Sequence, residues 1–106
     1  MDKFHIRIIN GWCGNQMVII RDHLVKFLAD RNYIVKIDNQ SIWENSSPPN
    51  HVDLVFQLLP AFNSEELSCP SLPIRKLLKD FDHQETLENV LRIVEENYPV
   101  STGVNN

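Results

Sequence analysis

A chain of 106 residues is expected to form one domain, long enough to bury a core without disulfide or metal staples. Its 42% hydrophobic and 23% charged residues are ordinary for a globular protein, and a net charge of -4 with no block of like charge argues against a nucleic-acid surface. The longest apolar runs, such as LVFQLLPAF, are far too short to span a bilayer, and no basic segment followed by an apolar one opens the chain, so a cytoplasmic protein with no direct membrane insertion is expected.

Residues 4–9, FHIRII, read as a first strand, β-branched and nearly continuous in apolar character, hence buried. Asn10 and Gly11 end it. From Met17 to about Asp30 the period changes: Met17, Ile20, Leu24, Phe27 and Leu28 fall at helical spacing while Arg21, Asp22, Lys26 and Asp30 face outward. Asn15 is the expected N-cap, and DRNY (30–33) closes the helix. YIVKI (33–37) reads as a second strand. SIWENSSPPN (41–50) is loop chemistry, with Trp43 expected to fold back onto the core as an anchor.

HVDLVFQLL (51–59) is the strongest strand signal, with Asp53 near its entry. The segment 60–73 is irregular, with a short helical turn expected around 64–67, and 74–78 reads as a short strand or the approach to one. The last helix is clear: Asp82 and Glu85 have capping-box spacing, Leu87, Val90, Leu91 and Val94 form its apolar stripe, and Tyr98-Pro99 ends it. Residues 1–99 are thus expected to form a single domain, and 100–106, VSTGVNN, a flexible tail. The alternation predicts an α/β fold: a small, mainly parallel, roughly four-stranded sheet flanked by helices in a Rossmann-like three-layer arrangement. In such sheets the working site lies at the carboxyl ends of the strands.

That edge is where Cys13 falls, in NGWCGNQM (10–17), between the first strand and the first helix. His5, His23, His51 and His83 are scattered without zinc-site spacing, and neither a metal nor a cofactor is called for. Cys69, in LSCPSLP, has no activating pattern and reads as structural or incidental.

Several chemistries are compatible with a small α/β domain that carries such a turn. A dithiol redox site needs Cys-x-x-Cys, but position 16 is Gln; a monothiol protein of glutaredoxin type would place a β-hairpin where this chain runs into its last helix, although SLP (71–73) could pass for its proline loop. A cysteine phosphatase needs Cys-x5-Arg to clamp the phosphoryl group, and six residues after Cys13 stands Ile19. A receiver domain needs an aspartate at the end of its third strand, where this chain has Leu58-Leu59-Pro60. A thiolate that receives a phosphoryl group and passes it on remains, beside the plain alternative of a small buried side chain.

Strand, then Cys-Gly-Asn, then helix near the N-terminus resembles the IIB components of the sugar phosphotransferase system, of the galactitol and ascorbate type. The likeness runs in pattern through YIVKI, the aspartate of VDLVFQ, and IRKLL with LENVLRIVEENYP, about residues 4–99. It implies a phosphocarrier whose Cys13 takes phosphate from a histidine of a IIA partner and gives it to sugar at a membrane IIC partner. Gly14, Asn15, Gln16 and Met17 would then form the phosphate-binding loop, with Trp12, Arg21 and His23 as auxiliaries. Backbone N–H groups at a helix N-terminus lower a thiol's pKa and cradle phosphoryl oxygens, which suits this placement. CGNQMVII (13–20) contains no later glycine and no Ser or Thr, so a non-catalytic binding or regulatory module of the same fold stays open.

Overall fold

The computed structural model describes residues 4–11, 15–43, 51–59 and 61–98. Four strands, β1 (Phe4–Asn10), β2 (Val35–Ser41), β3 (Leu54–Gln57) and β4 (Ser71–Pro73), and two helices, α1 (Asn15–Ala29) and α2 (Gln84–Asn97), form its frame. The strands make one parallel sheet in the order β2-β1-β3-β4. The expected small α/β fold is therefore the one observed.

Side chains alternate along a strand, and here each face of the sheet has its own core. On one face Phe4, Ile6 and Ile8 of β1 meet Leu54 and Phe56 of β3. The stripe Met17, Ile20, Leu24 and Leu28 of α1 packs there, and so do Leu87, Val90 and Val94 of α2. On the other face Ile9 and Val55 join Val52 and Leu67, with Phe62 and Cys69 packed against them. Both α-helices and the segment 74–78 thus lie on one face, while Val52 and residues from 61 to 69 pack on the other. The strand order accounts for this. The step from β1 to β2 runs one way and the steps to β3 and β4 the other, so right-handed crossovers put their connections on opposite faces.

The end of α1 follows from one residue. Asn32 takes φ 69°, its N–H donates to the Ala29 carbonyl at 3.0 Å, and the Tyr33 N–H donates to the Leu28 carbonyl at 2.9 Å. This is a Schellman closure with asparagine in the left-handed position usually held by glycine. Arg31 adds its guanidinium over the Phe27 ring, 3.8 Å from the centroid. Because Tyr33 belongs to this closure, β2 starts at Val35, later than its apolar run suggests, and continues through Asn39, Gln40 and Ser41. Those polar residues pair with Ile8, Ile9 and Asn10, so the ladder to β1 overrides their low strand preference.

Three further expectations need correction. β3 is shorter than 51–59, since His51 has φ 60° and the ladder stops at Gln57. The fourth strand is Ser71–Pro73, while Arg75–Leu78 forms a 3-10 turn that buries Leu77; Ile74 between them donates its N–H to the Gln57 carbonyl. The cap of α2 is His83 and not Asp82: the His83 ring nitrogen Nδ1 accepts from Thr86 N–H at 3.3 Å, while Asp82 is drawn toward His23. The helical turn expected near 64–67 is a 3-10 turn, Ser64–Glu66. The tail, 100–106, lies outside the described residues.

Tyr98 ties α2 to the start of the sheet. Its ring stands 5.4 Å from Phe4 and edge-on to Tyr33 at 5.0 Å, and its hydroxyl donates to the Ile34 carbonyl at 3.3 Å. The α1 closure should govern stability more than any surface contact nearby. A β-branched side chain in the left-handed region is penalised, so Asn32→Val is expected to cost about 1–2 kcal/mol. Asn32→Gly is expected to change stability by less than about 1 kcal/mol, both read from urea denaturation midpoints.

Candidate functional site

In a parallel sheet of order 2-1-3-4 the strand direction of travel reverses at β1, and a crevice opens beyond the carboxyl ends of β1 and β3. Asn10 and Gly11 end β1 there, and Leu58 and Leu59 follow β3, with the Leu58 N–H donating to the Ile9 carbonyl at 2.9 Å. Asn10 is only 1% exposed, and its Oδ1 has no hydrogen-bond partner among the described residues. Gly11 approaches Leu59 closely: a Cβ there would stand 2.7 Å from Leu59 Cδ2, the end of a side chain that would have to swing aside.

Trp43 closes the neighbouring strand end, but not as a core anchor. Its indole N–H donates to the Gly11 carbonyl at 2.6 Å while the residue remains 81% exposed. The Ile42 N–H donates to the Asn10 carbonyl at 3.0 Å, so Ile42 and Trp43, just after β2, are fastened to two successive carbonyls at the end of β1.

Trp12, Cys13 and Gly14 lie outside the described residues, as do the side chains of Asn15 and Gln16. The backbones of Asn15, Gln16 and Met17 form the first turn of α1, and the Met17 side chain is buried in the core. The two auxiliaries on α1 lie beside acidic side chains elsewhere, His23 Nε2 without a hydrogen bond among the described residues. Arg21 Nε donates to Asp22 Oδ1 at 3.2 Å, and His23 Nε2 lies 3.2 Å from Asp82 Oδ1 beside the Phe81 ring. With a rise of 1.5 Å per residue, they stand about 9 and 12 Å along the helix from Asn15.

On the β3–β4 side the same edge holds a feature that the sequence did not single out. An open cleft of about 370 Å³ is lined by Gln57, Leu59, Phe62, Pro73 and Arg75. The Gln57 amide holds one wall in place. Its Oε1 accepts from the Ala61 and Phe62 N–H groups at 3.0 and 3.1 Å, and its Nε2 donates to the Phe62 carbonyl at 3.1 Å. Sequence reading missed Arg75 because the fourth strand was placed too late; with β4 at Ser71–Pro73, an arginine two residues beyond falls at the strand-end edge.

The second face carries a charged cluster away from this edge. Arg7 donates from Nε and Nη2 to the two Asp38 oxygens at 2.8 and 3.0 Å, and His5 Nε2 lies 2.9 Å from Asp38 Oδ2. Partial burial raises the Asp38 pKa, but the hydrogen bonds from Arg7 and His5 outweigh it and hold the carboxyl below its usual range. The Arg7 pKa is pushed up, chiefly by the hydrogen bond to Asp38. Cys69 is a half-buried free thiol whose pKa is raised by burial and then by the charge of Asp53, so it is a poor nucleophile at neutral pH. Among the described residues no group of three His, Cys, Asp or Glu converges as metal ligands, and no helix is long and apolar enough to cross a membrane.

The Asp38 cluster predicts an acid-labile contribution to stability. A carboxyl depressed in the fold stabilises fully above its unfolded value of about 3.9 and loses that contribution as pH falls through the lower folded value. Asp38→Asn should therefore lose less stability than the parent between about pH 4 and pH 2, measured by denaturation at each pH. Compared with family models, with curated proteins and with solved structures, the chain has no match.

Proposed function

We propose that the protein is a cytoplasmic phosphoryl carrier similar to the IIB components of the sugar phosphotransferase system. The observation that carries this reading is the place of Cys13 in the chain. It falls in the connection between the central strand β1 and helix α1, in a sheet whose order reverses at β1. Thiolate chemistry fits a relay. The Cys13 sulfur attacks the phosphorus of a phosphohistidine on a IIA partner, the P–N bond breaks, and the histidine leaves. A sugar hydroxyl at a membrane IIC partner then attacks the same phosphorus, and the S–P bond breaks as the hydroxyl proton is released. A sulfur stabilised at a helix N-terminus is both the nucleophile of the first step and the leaving group of the second.

The buried Asn10 acceptor, without a hydrogen-bond partner among the described residues, supports a functional role for this turn. The wholly parallel sheet gives no support to the monothiol redox reading, whose fold requires an antiparallel hairpin. A second reading has its own observation. The exposed Trp43 ring at the same edge is the kind of anchor that protein interfaces use, which favours a IIB-like binding module carrying no phosphate.

Intact mass after incubation with phosphoenolpyruvate, enzyme I, HPr and a panel of IIA proteins separates the two. The relay predicts a gain of one phosphoryl group that Cys13→Ser abolishes. No gain with any IIA protein, together with slow alkylation of Cys13, would leave the binding module.

A further inference from the structure

The cleft beyond β3 and β4 has the features of a small-molecule site, independent of the chemistry of Cys13. Its volume of about 370 Å³ lies within the range of about 300–1,000 Å³ usual for such sites. Leu59, Phe62 and Pro73 give it an apolar, partly aromatic lining, suited to a flat body. The walls are pre-formed, because three hydrogen bonds from one Gln57 amide fix the backbone of Ala61 and Phe62 against the end of β3. A ligand would therefore bind without ordering a loop, which removes much of the usual entropic cost.

Charge selects the class of ligand. Arg75 lines the cleft and is exposed, and no hydrogen bond or ion pair engages it among the described residues. Its neighbour Lys76, in contrast, lies 3.8 Å from Glu85. A guanidinium without a partner, on a chain with net charge -4, is a local exception to the overall charge. Its planar fork matches a carboxylate or phosphate in two parallel hydrogen bonds. Gln57 has a second side-chain N–H to offer beside it.

We infer that this cleft binds a small organic anion, a flat apolar body bearing one carboxylate or phosphate group, with the anion on Arg75 and the body between Leu59, Phe62 and Pro73. Leu59 also abuts Gly11, so the ligand would lie against the β1 turn and share a wall with it.

Titration of the full chain with benzoate, phenyl phosphate and benzyl alcohol, followed by amide and side-chain NMR shifts, tests this directly. The anions should shift the Phe62 amide, the Gln57 side-chain N–H and the Arg75 Nε–H, and bind about tenfold more tightly than benzyl alcohol. Arg75→Gln, a change at an exposed position, should remove that advantage while leaving benzyl alcohol binding unaltered. Cys13→Ser should leave all three titrations as they were, so failure of the phosphoryl relay would not touch this result. Whichever anion binds more tightly names the head group. Equal binding of benzyl alcohol and benzoate, shifts gathered away from the cleft, or an unchanged Arg75→Gln titration would each overturn the inference.

Discussion

Everything in this fold is hung on the two-sided pairing of β1. The strand is held along its length by β2 on one side and over Ile6–Ile9 by β3 on the other, and its Ile6, Ile8 and Ile9 are fully buried. A strand paired on both edges must be apolar on both faces, and FHIRII comes near to that. Because β1 is central and first, the chain has to leave it toward one neighbour and return past it to the other. That reversal produces the crevice at its carboxyl end, and it also divides the connections between the two faces.

The two faces carry different duties. The helix-covered face holds the larger core, where α1 and α2 pack against Ile6, Ile8, Leu54 and Phe56. The opposite face is covered in part by the irregular segments, and elsewhere bears the cluster of His5, Arg7 and Asp38. At the carboxyl edge the chain is fixed by single polar groups: the Trp43 indole on the Gly11 carbonyl, and the Gln57 amide on residues 61 and 62. Such bonds give a rigid rim with little hydrophobic burial, the usual way to hold a site at the end of a scaffold.

Elements whose signal is hydrophobic period were legible in the sequence. In the α1 stripe Met17, Ile20, Leu24 and Leu28 are buried and Phe27 half-buried, and in the α2 stripe Leu87, Val90 and Val94 are buried and Leu91 half-buried, much as their spacing requires. What escaped was whatever depends on partners far along the chain. Asn39, Gln40 and Ser41 form strand only because β1 lies beside them. Ser71–Pro73 is too short for any period to show, and its ladder to β3 defines it. Asp82 looked like the cap of α2, yet its carboxylate lies beside His23, fifty-nine positions earlier in the chain, and His83 took the role. Trp43 was expected inside because of its size, but its one strong bond is made at the rim with the ring left in solvent. The cleft at Arg75 had no local signature, since its five residues come from three separate segments.

A phosphoryl carrier needs Cys13 as an activated thiol, and the competing thiol is easily removed. Cys69 is partly buried with a raised pKa, so a Cys69→Ala chain leaves a single cysteine to follow. The most direct measurement is the rate of iodoacetamide alkylation of that chain as a function of pH. A carrier should show an apparent pKa clearly below the value of about 8.5 of an ordinary free thiol. A pKa at or above that value would contradict it, and would make Cys13 a structural residue of a binding module.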